Sequence, residues 1–175
     1  MNIWVNGCFD ILHTGHIDLL CFAKLYKAGD IFPMVKNKLF VGLDSDERVK
    51  QLKGDKRPIN DINTRLTIMQ NLRMVDDVFI FDNDDELRNL IKYCKIDIMI
   101  VGEQYRDKEV VGGENSKFGV IYYPVDDRST TNIIEKIKKE AQLEVFNEMY
   151  EKFGDDEYCF SLNNYAIANI KKLKL

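Results

Sequence analysis

The chain has 175 residues and a net charge of −4, enough for one well-buried domain and too little for two of ordinary size. The charge excludes a large nucleic-acid footprint, and no stretch approaches the about 20 apolar residues of a membrane span. The first residues lack the basic-then-apolar order of a signal peptide. Cys8, Cys21, Cys94 and Cys159 show neither C-x-x-C nor zinc-like spacing, so buried thiols in a reducing cytoplasmic setting are expected.

In chain order, residues 3–5 (Ile3-Trp4-Val5) read as a first strand that runs straight into Asn6-Gly7. Helix 17–27 follows, then strand 39–43, helices 45–52 and 63–74, strand 78–81, helix 85–94, and strands 98–101 and 120–123. Short apolar strands separated by helices predict βαβ units, that is, an α/β, Rossmann-like, doubly wound parallel sheet with helices on both faces. From Ser129 a helical pattern runs to Phe153-Gly154, and residues 158–175 predict a last helix after an acidic break. The expected organisation is a domain over residues 1–140 and a helical extension over 141–175. The extension's apolar spacing (Leu143, Phe146, Met149, Tyr150, Phe153) suits docking on the core or on a second subunit.

In such sheets ligands bind beyond the carboxyl ends of the strands, where strand order reverses. The first strand ends there at Asp10-Ile11-Leu12-His13-Thr14-Gly15-His16, which holds the chain's only two histidines. Strand, glycine turn and helix start form a place where backbone N–H groups and the helix dipole meet an anion. Imidazoles three residues apart lie on one helical face and can both donate to a polyphosphate. The pair could also be structural or hold a metal, but a zinc site needs further ligands, and no other His or Cys pair supplies them.

His13-x-Gly15-His16 is the signature of nucleotidylyltransferases, and the stretch from Gly7 to His16 resembles the N-terminal motif of the cytidylyltransferase-like family. Val41-Gly42-Leu43-Asp44-Ser45-Asp46 is similar to the end of that family's second strand. Ser129-Thr130-Thr131-Asn132-Ile133-Ile134 is similar to its late Ser-Thr-Thr motif, and the three stand in the family's order. Within the family the chain resembles D-glycero-β-D-manno-heptose 1-phosphate adenylyltransferases, the nucleotidyl half of ADP-heptose synthases. The Lys53-Gly54-Asp55-Lys56-Arg57-Pro58 loop, Val110-Val111-Gly112-Gly113-Glu114 and the Asn132-Ile133-Ile134 ending carry that likeness. Glycerol-3-phosphate cytidylyltransferases, the runner-up, carry an Arg a few residues before Ser-Thr-Thr. That place is Pro124 here, and Arg128 stands beside Ser129 instead.

The resemblance implies transfer of a nucleoside monophosphate from a triphosphate, ATP rather than CTP, onto a phosphorylated sugar or polyol, specifically heptose 1-phosphate, with release of pyrophosphate. The acceptor is already an anion, so positioning and charge stabilisation matter more than a strong base. His13, His16, Lys53 and Arg65 are expected to be catalytic. Gly7, Cys8, Phe9, Asp10, Gly15, Gly102, Gln104, Ser129, Thr130 and Thr131 are expected to bind the nucleotide, Gly7 and Gly15 by permitting close approach. Mg²⁺ is expected to ride on the phosphates, since no dedicated carboxylate cage is visible. A homodimer is implied, with no nucleic acid or membrane as partner.

Blander roles stand beside these. Asp10 can equally pair with amides of its own turn, and Asp46, Ser129 and Thr130 can be helix caps. Lys53 can belong to a solvated basic loop with Lys50, Lys56 and Arg57, Arg65 can be a surface residue of its helix, and Tyr105 can stack on a base or merely close its loop. The chain also departs from the family. Gly102-Glu103-Gln104-Tyr105 has Gln where an Asp is usual, and the extra residues 31–37 are apolar enough to pack against a partner subunit. The kinase fused to some ADP-heptose synthases has no counterpart, so a separate kinase chain is expected. A nucleotide-binding or scaffold protein that has lost turnover is the alternative from another class.

Overall fold

A computed structural model describes residues 1–27, 36–124 and 128–153. Five strands form one sheet: β1 (Asn2–Gly7), β2 (Lys38–Asp44), β3 (Asp77–Phe81), β4 (Ile98–Gly102) and β5 (Val120–Tyr123). Their order is β3-β2-β1-β4-β5 and every pairing is parallel. The helices are α1 (Thr14–Leu25), α2 (Asp46–Lys53), α3 (Ile62–Gln70), α4 (Asp84–Tyr93) and α5 (Thr130–Phe153). This is the doubly wound α/β architecture expected from the alternation of strands and helices.

Period-two alternation sorts the strands' side chains onto two faces. Ile3, Val5, Leu39, Val41, Leu43, Ile98 and Ile100 pack with Leu20 and Ala23 of α1 and Met69 of α3. Trp4, Phe40, Phe81 and Met99 pack on the other side with Leu87 and Ile91 of α4. Trp4 is wholly buried and lies across Gly42 of the neighbouring strand, where an added Cβ would sit 2.4 Å from its ring. Its indole N–H donates to Asn6 Oδ1 at 3.2 Å, so the buried donor is satisfied.

Helix ends differ from expectation most at three places, one of them the end of α1 at Leu25 rather than 27. The first helix begins at Thr14 rather than 17, because His13 takes the extended N-cap conformation. The third ends at Gln70, with Asn71 as its cap, and Leu72 and Met74 pack on the core from the following turn. Their apolar character reflects burial rather than continued helix.

The chain separates into two compact units, Met1–Thr130 and Thr131–Leu175. The boundary expected at residue 140 falls inside α5. Along α5 the side chains of Ile137, Leu143 and Val145 are exposed. The helix expected over 158–175 and most of the 31–37 insertion lie outside the described residues. Of that insertion Lys36 and Asn37 are described; Asn37 is buried and donates from Nδ2 to the carbonyls of Lys24 and Tyr26, closing the end of α1. Among the described residues no helix is long and apolar enough to cross a membrane.

Candidate active site

Strand order reverses between β1 and β4, and the sheet opens there. The register between these strands covers only Ile3↔Ile98 and Trp4↔Met99, although β1 continues to Gly7 and β4 to Gly102. On the other side β1 stays in register with β2 along its whole length, up to Gly7↔Leu43. A crevice at such a reversal is the usual ligand site of a doubly wound sheet.

The turn leaving β1 is contorted. Phe9 (φ 49°) and Ile11 (φ 44°) both occupy the left-handed region, which is costly for a β-branched residue. Between them Asp10, 1 % exposed, holds the turn in place. Its carboxylate accepts from Arg57 Nε at 3.0 Å and from the amides of Ile59 and Asn60 at 2.9 Å each. Burial alone would raise this carboxyl's pKa, but the two amides and Arg57 outweigh it and hold the group below the usual range. Asp10 thus ties the basic loop to the β1 turn, and its backbone carbonyl accepts the Thr130 hydroxyl at 2.6 Å.

His13 caps α1 and His16 is its third residue. The rings stack with centroids 3.8 Å apart, and Phe9 packs on His16 at 5.2 Å. His16 Nδ1 accepts the His13 amide in a long bond of 3.4 Å, the part that Glu or Gln plays in an ordinary capping box. The neutral ring therefore carries its proton on Nε2 as a donor. Burial, followed by the charges of His13 and Lys53, pulls the His16 pKa down to about 4. Gly15 lies beneath the stack: a Cβ there would meet the His13 ring at 3.1 Å and the Arg128 carbonyl at 3.4 Å. The first turn of α1 holds no acidic residue to compete for an anion.

Lys53 ends α2, exposed, with Gly54 (φ 89°) turning the chain as only glycine does easily. Its charge is felt at both Cys8 and His16, which brings it to the site. Cys8 is buried, and burial raises its pKa despite Lys53 and Arg65, so it stays a thiol. Gly7 ends β1 with ordinary clearance, so nothing within the chain crowds it. At the end of β4 the Gln104 amide folds back over Gly102, where an added Cβ would lie 2.3 Å from Gln104 Oε1. Ser129 precedes α5, Thr130 opens it, and Thr131 belongs to the second unit.

Arg65 sits elsewhere than the sequence reading put it. The side chain has no exposed surface and cannot face a phosphate as it stands. Nη1 donates to the carbonyls of Cys8 (2.7 Å) and Asp44 (2.8 Å), Nε to that of Asn60 (3.1 Å), and Nη2 to Asp46 Oδ1 (2.6 Å). It joins the β1 turn, the end of β2 and the basic loop from inside. Sequence reasoning also passed over Asp46 as an arginine acceptor; Ser45 is the cap of α2, and Asp46 receives Arg65 and the Ile62 amide. Behind them Arg48 bridges Asp44 (2.8 Å) and Asp84 (2.7 Å).

Among the described residues no three His, Cys, Asp or Glu side chains converge to hold a metal ion. Asp10 is already committed to its four donors in Arg57, Ile59 and Asn60. A divalent cation carried by phosphate oxygens would need no such cluster.

Residues 4–147 match the family model described as Cytidylyltransferase-like. The chain belongs to this family of nucleotidyltransferases. It is 49 % identical over 136 residues to the bifunctional protein HldE of Campylobacter fetus, covering 78 % of this chain and 28 % of that protein. To the bifunctional protein HldE of Helicobacter hepaticus it is 42 % identical over 137 residues, covering 78 % and 26 %. The chain thus matches only about a quarter of the length of these relatives. A solved structure titled a lipopolysaccharide core biosynthesis protein, from Thermoplasma volcanium, aligns with a TM-score of 0.53 at 23 % identity. That alignment spans 74 % of this chain and 98 % of the other, a likeness of fold.

Proposed function

We propose that the chain transfers an adenylyl group from ATP to heptose 1-phosphate, releasing pyrophosphate, as a cytosolic homodimer. The carrying observation is the stacked His13–His16 pair at the start of α1, set on the open end of the β1–β4 crevice. The motif resemblance within the family and the likeness to bifunctional HldE proteins support the choice of nucleotide and acceptor.

An acceptor phosphate oxygen attacks the α-phosphorus of ATP. The new O–P bond forms as the bond from the α-phosphorus to the bridging oxygen breaks, and that oxygen leaves with pyrophosphate. His16 donates from Nε2 to a phosphate oxygen, and His13 stacks beside it at the same helix start, where the Thr14 and Gly15 amides point outward. Lys53 adds positive charge from the mobile end of a long side chain. Asp10 and Arg65 hold the turn that presents these groups and do no chemistry. Mg²⁺ bound together with the nucleotide would supply charge shielding for its phosphates, without a cage of side chains among the described residues to hold it.

The test is pyrophosphate release with Mg²⁺, crossing ATP and CTP against heptose 1-phosphate and glycerol 3-phosphate. Release with ATP and heptose 1-phosphate alone is expected, abolished in a folded His16→Ala variant. Release with CTP and glycerol 3-phosphate replaces the substrates and keeps the mechanism. Unchanged turnover in His16→Ala removes the mechanism.

A further inference from the structure

We propose that Arg128 is a further ligand of the nucleotide's phosphates, parked on Asp18 until the polyphosphate arrives. This rests on the reading that the triphosphate binds at the start of α1. Arg128 Nη1 donates to Thr14 Oγ1 at 3.0 Å and to Asp18 Oδ2 at 2.7 Å, which sets the guanidinium on the flank of the first turns of α1. Its backbone carbonyl meanwhile closes over Gly15, between the two histidines. The cation therefore stands beside the amides and imidazoles that would receive the anion.

Two features distinguish a mobile ligand from a strut. The Arg128 and Asp18 side chains are 44 % and 46 % exposed, and solvent-exposed pairs of this kind contribute little to stability. The segment has a separate anchor, the Thr130 hydroxyl on the Asp10 carbonyl, with Thr130 buried. Arg128 can thus exchange the Asp18 carboxylate for a more highly charged phosphate, to which its planar fork is better matched, while Thr130 keeps its own anchor. Asp18 then acts as a placeholder that competes with the ligand.

The experiment is calorimetric titration of the intact chain with Mg²⁺·ATP and with inorganic tripolyphosphate, in wild type, Arg128→Ala and Asp18→Asn. Arg128→Ala should weaken both ligands by about tenfold, the loss of one charge-assisted contact, with an unchanged circular dichroism spectrum. Asp18→Asn should tighten both by about two- to threefold, because the competing carboxylate is gone. Wild-type affinity in Arg128→Ala overturns the proposal. So does weakening by Asp18→Asn that matches Arg128→Ala, since that is how a strut behaves. A wild-type chain that binds neither ligand overturns the functional reading along with it.

Discussion

Arg65 donates to the main-chain carbonyl of Cys8 at 2.7 Å with its guanidinium wholly inside the protein. An arginine with no exposed surface is stable only when its donors are met, and here three carbonyls and one carboxylate meet them. Removing it leaves Asp46 and those carbonyls without a shared partner. Arg65→Lys should lose about 2–4 kcal/mol of stability, the usual range for breaking a buried network, and activity should fall with it. Urea unfolding measures the first. Nucleotide affinity against salt separates the roles: a scaffold leaves the salt slope of the surviving folded protein unchanged, whereas a lost phosphate contact flattens it.

Asp10 makes a second prediction, with a pH sign. Its folded carboxyl is held below the usual range, so its contribution is complete above that range and disappears as pH falls through the depressed value. Asp10→Asn should cost about 3–5 kcal/mol at neutral pH, since Arg57 loses its buried partner. The gap between wild type and variant should narrow in strong acid. Thermal unfolding at pH 7 and pH 3 compares the two; equal gaps refute the assignment.

For His16 the sign is opposite in origin. An unfolded histidine titrates near 6.5, whereas folded His16 titrates near 4. Between those values the unfolded chain binds more protons, so this group's share of stability is intact above pH 6.5 and is lost on acidification toward pH 4. The loss is on the order of 3 kcal/mol at most. His16→Gln should show a shallower fall in denaturation midpoint over that window than wild type does.

Gly102→Ala should leave stability nearly unchanged and alter substrate use. The new methyl would collide with the Gln104 amide, which is a flexible group that can swing away. Displacing it should raise the KM of one substrate by about tenfold, the value of one good polar contact, while the unfolding midpoint moves little. A steady-state comparison with Gln104→Asp then shows whether that position serves the nucleotide or the acceptor.

Much of this was legible because it is local. The period-two strands, the glycine turn and the paired histidines are short-range patterns, and the structure assembles them in the expected order. The burial of Arg65 was legible too. It falls between Ile62, Leu66 and Met69 on the buried stripe of α3, which is no place for a solvent-facing cation. The ties from Asp10 to Ile59 and Asn60 span 49 and 50 residues, and Arg128 to Asp18 spans 110. No periodicity announces contacts between loops so far apart; the folded sheet creates them by bringing strand ends to one edge.

The stacked imidazoles of His13 and His16 also set how the site exchanges protons with its surroundings. Burial first, then the charges of His13, whose ring lies 3.8 Å away, and of Lys53, make the His16 ring reluctant to take up a second proton. A polyphosphate lying across both rings removes that reluctance. An anion arriving beside His16 should therefore draw a proton from the buffer, and its departure should return it.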